Sequence, residues 1–100
     1  MKTIDKAALL VEFERPKVVN FTAEEIARRK KSFIQIVASC ALENAEPDEF
    51  GKVVVMERIR GELTHEQADM ILREQCPDET ARIQAKIRRM HQLGLSWIDL

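Results

Sequence analysis

Ser39, Glu43 and the Asn44 that follows are the residues of this sequence whose types and spacing could do chemistry. Four positions separate the hydroxyl from the carboxylate, so on a helix turning about 100° per residue the two stand on one side, one turn apart. A carboxylate presented this way can capture a cation. The most natural one is a guanidinium, whose planar fork holds a carboxylate through two parallel hydrogen bonds. Glu43 falls in the last turn of the helix that surrounds it, where the helix dipole is negative and an acid is disfavoured by roughly 0.3–1 kcal/mol. A local rule broken without visible gain marks a functional position. The bland alternative is a glutamate hanging in water beside a serine that is solvated or bonded back to its own backbone.

The element that must position this pair is read from "FTAEEIARRKKSFIQIVASCALENAEP". Thr22 followed by Glu25 forms a capping-box pattern, with Phe21 and Ile26 as a hydrophobic staple, so a helix starts near Ala23. It ends near Asn44 or Ala45, because Pro47 disfavours a helical conformation at Glu46. Ile26, Phe33, Ile34, Val37, Cys40 and Ala41 fall on one apolar stripe at helical rotation, while Ile36 and Leu42 lie on opposite flanks of it. From Phe33 to Leu42 only Gln35 and Ser39 are clearly polar, so this half is apolar nearly all round. The other short helices of so small a chain cannot surround it, which points to cover from outside. Phe33, Ile36 and Leu42 are the candidate partner-binding residues, with self-association as the competing use of the same surface.

Elsewhere the pattern is helical too. In the first twenty residues Leu9, Val11 and Phe13 alternate like a strand, whereas Ile4, Ala8 and Val11 fit a helix face. Asp48 caps a second helix carrying Val55, Met56, Ile59 and Leu63, although Val53 to Val55 also tolerate a strand, and Gly61 stops it. Thr64 with Gln67 opens a third helix presenting Ala68, Ile71 and Leu72; Pro77 and Asp78 end it. From Glu79 a fourth carries Ile83, Ile87 and Met90, closing near Gly94 before the tail "LSWIDL", which either folds back or docks on a partner through Trp97. The expected fold is all-α, a small domain of three to four short helices that clamps a partner.

Composition narrows the function. Sixteen basic and seventeen acidic side chains in 100 residues give a net charge of -1, so no overall attraction to nucleic acid or anionic membrane is built in. The basic clusters "ARRKK" and "KIRRM" read as solvated helix faces in preference to DNA contacts, and Arg28 and Arg29 are equally able to meet acidic partner residues. Cys40 and Cys76 form no CxxC, and His65 and His91 stand at no metal-ligand spacing, so neither metal nor cofactor is expected. No nucleophile with a base, phosphate-cradling glycine loop or acid pair appears, which leaves no catalytic residues. The apolar run near the N-terminus is too short for a secretory core, and no stretch of roughly 18 apolar residues exists. A cytoplasmic protein that is not an enzyme is the expectation.

Ser39-x-x-x-Glu43-Asn44 resembles the inhibitory motif (Ser or Thr, three residues, Glu, then Gly or Asn) of proteins that silence Fic-domain adenylyltransferases. "EEIARRKK", "ASCALENAEPD" and "MERIRGEL" are similar, in order and approximate spacing, to the small VbhA-like antitoxins. The resemblance covers roughly Thr22 to Glu74. It divides the chain into an N-terminal extension (1–21), an antitoxin domain with the inhibitory helix (22–75), and a C-terminal helix with an apolar tail (76–100). It implies the antitoxin of a type II toxin–antitoxin pair, a three-helix clamp whose motif helix lies beside the toxin's ATP site. Glu43 would take the arginine that otherwise holds the γ-phosphate of ATP, Ser39 would hydrogen-bond near the same loop, and Asn44 stands where glycine is commoner. Two rivals are a small DNA-binding transcriptional regulator and a self-associating helical module.

Overall fold

A computed structural model describes residues 5–100. In chain order these form α1 (Lys6–Leu10), a 3-10 turn (Val11–Phe13), α2 (Ala23–Leu42), α3 (Glu49–Ile59), α4 (His65–Leu72), α5 (Pro77–Gln92) and a second 3-10 turn (Trp97–Asp99). The fold is all-α, with no strand among the described residues. It has five helices where three to four were expected, and α2 with its twenty residues is not short. The ambiguous N-terminal stretch is helical; Ile4, invoked for its helical face, lies outside the described residues.

The helix starts follow from cap chemistry. The side chains of Asp5, Thr22, Asp48 and Thr64 each accept a hydrogen bond from the first turn of the helix they precede, satisfying a backbone N–H that has no partner inside the helix. At Thr64 the box is complete, because Gln67 accepts in return from the Thr64 N–H at 2.8 Å. The last helix corrects the sequence reading. It starts at Pro77, not near Glu79, because proline at the first helical position gives up an N–H that would be unpaired anyway. Proline read as a stop was in fact a start.

The centre of the molecule is α3, which packs against α2, α4, α5 and the C-terminal turn. Gly51, Lys52, Val53, Val54, Met56, Glu57 and Ile59 are all buried, so the helix is enclosed on most sides, with two charged residues inside. Met56, Ile71, Ile83 and Met90 from three different helices are wholly buried together, each worth on the order of 1.5–3 kcal/mol of removed apolar surface. Helix α2 contributes one buried residue to the interior, Val37.

The chain on either side of the central helices belongs to the same body. Leu9, Leu10 and Phe13 pack on the core from the N-terminal side, and Leu95 and Leu100 are buried in it from the other. The N–H groups of Val18 and Val19 both donate to the Gly61 carbonyl, at 2.8 and 3.0 Å. The tail folds back, which decides between the two alternatives for it. Arg60 donates to the Leu100 carbonyl at 2.7 Å, and Trp97 meets Phe33 edge-on with ring centres 5.6 Å apart. No helix among the described residues is long and apolar enough to cross a membrane.

Candidate functional site

The site is assembled by the way α2 ends. Leu42 is its last helical residue, Glu43 is the cap, and Asn44 turns into the left-handed region with φ of 57°. The Ala45 N–H then reaches back to the Cys40 carbonyl at 2.8 Å, and the Asn44 N–H to the Ala41 carbonyl at 3.2 Å. This double closure needs a left-handed residue at position 44. That conformation costs an ordinary L residue roughly 1–2 kcal/mol, with glycine and asparagine the exceptions. The choice of asparagine at position 44 therefore has a local backbone cause, and its effect is to fix where the preceding carboxylate leaves the helix.

Ser39, Glu43 and Asn44 are all exposed. Glu43 makes no ion pair or side-chain hydrogen bond among the described residues, while the other acid of this turn, Glu46, is paired with Lys52. Lys52 lies nearly buried and also faces the Trp97 ring at 5.3 Å. The near cation is thus committed elsewhere, and the Glu43 carboxylate points outward at the negative end of a helix with nothing to neutralise it. Such a group can accept a pair of hydrogen bonds from an external guanidinium without first breaking an internal contact.

The three partner-contact candidates divide. Leu42 is 89% exposed and Ile36 59%, so an apolar side chain stands out beside the carboxylate and another lies about two turns before it. Phe33 is the least open of the three: it is half-buried, with the Trp97 ring against it edge-on, because the tail returns over α2.

A second cluster of charges was not foreseen. Glu57 is wholly buried, gripped by Arg82 through bonds of 2.8 and 2.7 Å and by Lys86 at 2.8 Å, with Arg15 Nη1 at 3.6 Å. Burial pushes the Glu57 carboxyl up, but the Arg82 hydrogen bonds and the Lys86 charge outweigh it and hold the group below its usual range. Arg82 is held more firmly protonated by its bond to Glu57, which overcomes its desolvation, and by Glu79. An ionised carboxylate with its oxygens already occupied is a poor base and a good strut. It ties α3 to α5 and to the N-terminal segment. A signal was present in the sequence, since Glu57 lies four residues after Val53 and Lys86 three after Ile83, both on apolar faces.

Among the described residues no group of three or more His, Cys, Asp or Glu side chains could hold a metal ion. Cys40 and Cys76 are free thiols. His65 accepts at Nδ1 from Arg58 at 3.0 Å, and His91 contacts Glu49 at 2.6 Å. Comparison of the chain with protein-family models, curated proteins and solved structures yields no match.

Proposed function

We propose that the chain is an antitoxin that binds a Fic-domain adenylyltransferase toxin and inhibits AMP transfer, Glu43 capturing the active-site arginine that would hold the ATP γ-phosphate. The observation that carries this reading is an exposed, unpaired carboxylate fixed at the end of α2 by the left-handed Asn44, with Leu42 bare beside it. The Ser-x-x-x-Glu-Asn pattern supports it, since the backbone gives position 44 a reason to be glycine or asparagine.

The mechanism is competition for one guanidinium. A carboxylate occupies the two donors that a terminal phosphate would use, so a bound nucleotide cannot settle into the geometry for in-line attack at its α-phosphate. Nucleotide binding itself need not stop. The chain supplies no catalytic group; its part is to place a charge.

The test is Glu43→Gly in the purified complex with a Fic toxin. The variant should still bind, because the apolar contacts are untouched, and AMP transfer onto target hydroxyls should rise from background. A complex that stays as silent as wild type removes Glu43 from the mechanism. A second reading, a self-associating helical module, draws on the same exposed Ile36 and Leu42. It predicts a stable homo-oligomer in sedimentation and no affinity for any Fic protein.

A further inference from the structure

A groove of about 470 Å³ runs between α2 and α3, and Arg28, Arg29, Arg58 and His65 line it together with Phe33 and Ile36. No carboxylate lines it. None of the three arginines forms an ion pair among the described residues. Arg29 lies over the Phe21 ring at 3.9 Å, and Arg58 donates to a neutral nitrogen of His65. Both contacts leave the positive charge in place. The site is an apolar pit with uncompensated guanidinium groups around it.

We infer that this groove docks an acidic amphipathic segment of the chain's protein partner, an apolar side chain filling the pit and flanking carboxylates meeting Arg28, Arg29 and Arg58. The chemistry of the lining selects this occupant. Covering the apolar floor strips water from the arginines, and a desolvated cation needs an acid opposite it. A plain apolar helix would leave those charges unpaired, and a phosphodiester backbone has nothing to put against the floor.

The inference rests on the inhibitor reading and gives its partner a shape. At about 100° per residue, Arg28, Ser32 and Ile36 of the groove share one arc of roughly 80° with Ser39 and Glu43. Glu25 of the first turn falls in the same arc, so along this face the charges run acid, base, acid: Glu25, Arg28 and Glu43. Arg28 and Glu43 are fifteen positions apart, which is about 22 Å of helix at 1.5 Å per residue. A toxin engaging both must present its arginine about that far from its acidic anchor. Two opposite charges at that spacing fix the direction in which the helix is laid down, which a single pair cannot do.

The test needs no toxin. A labelled helix-forming peptide with leucines one turn apart, flanked by glutamates, is titrated into the full chain by fluorescence anisotropy, with the same peptide carrying lysines as control. The acidic peptide should bind at least tenfold tighter and weaken as salt rises. Arg28→Glu should reduce its affinity about tenfold, and Glu43→Gly should leave it unchanged. Amide resonances of Ser32, Ile36, Val55 and Ile59 should shift on titration, a readout on the unmodified chain. Equal binding of both peptides, shifts mapping elsewhere, or tighter binding of a duplex oligonucleotide than of the acidic peptide overturns the inference. Failure here leaves the Glu43→Gly prediction standing, and silence of that variant complex leaves the groove standing.

Discussion

Replacing Glu57 by glutamine keeps the side chain's size and removes its charge at the place where most of the molecule's buried polarity meets. Lys86, with 7% of its side chain exposed, forms its ion pair with Glu57. Arg82 would retain Glu79 at 2.7 Å. An amide offers one acceptor where the carboxylate served two cations, and turns N–H groups toward N–H groups. Breaking one partner of a buried pair costs about 3–5 kcal/mol, and the retained Arg82–Glu79 contact puts this case near the lower end, about 3 kcal/mol. For a domain of this size, each kcal/mol moves the melting midpoint by roughly 4–8 °C, so thermal denaturation followed by circular dichroism at pH 7 should show a fall of roughly 12–24 °C. A fall under about 4 °C would refute the strut. The pH dependence supplies an independent check. The Glu57 carboxyl lies below its usual range when folded, so its contribution is present above the unfolded carboxyl range and is lost as pH falls through the folded value. The gap between wild type and Glu57→Gln should therefore be full at neutral pH and close in acid; a gap that stays constant or widens contradicts the assignment.

Gly61→Ala should destabilise by several kcal/mol in a urea melt, because the added Cβ would stand 2.1 Å from the Val19 carbonyl oxygen at a φ of +83°. Asn44→Gly should change stability by no more than about 1 kcal/mol, because both residues accept the left-handed conformation, and on the inhibitor reading it should leave inhibition of the toxin intact. Leu42→Ser should change the melting midpoint little, within about 0.5 kcal/mol for so exposed a position, yet weaken binding to the toxin when measured by calorimetry.

The helix limits were legible because their causes are local. Thr22, Asp48 and Thr64 announce starts by a side-chain bond three residues long, and Gly61 and Gly94 announce stops by a φ that few other residues adopt. Glu74 was invisible as a stop: it closes α4 at a φ of 60° without being a glycine or asparagine. The exposed Ser39 and Glu43 were also legible, since helical rotation sets them apart from the apolar stripe, and Asn44 through the motif it completes. What escaped depends on residues distant in sequence. Glu57 finds Arg82 and Lys86 25 and 29 positions away, and no local pattern pairs them. Phe33 reads as free until Trp97 arrives from the tail. The stretch "MERIRGEL", part of the family resemblance, turns out to be interior: Met56, Glu57, Ile59, Glu62 and Leu63 are all buried. Its two glutamates are interior and serve the fold.

Val37 is the sole fully interior residue of α2, while α3 buries most of its length. Apart from the five-residue α1, which buries none, the helix bearing the outward carboxylate is thus the most lightly seated, and segments with so little interior contact come loose at a small fraction of the global unfolding free energy. A receptor that grips α2 must draw on whatever fraction of molecules has it in place, so apparent affinity falls by that fraction. Tightening the seat from behind, on the side the receptor never touches, would strengthen the complex without adding a single contact to it.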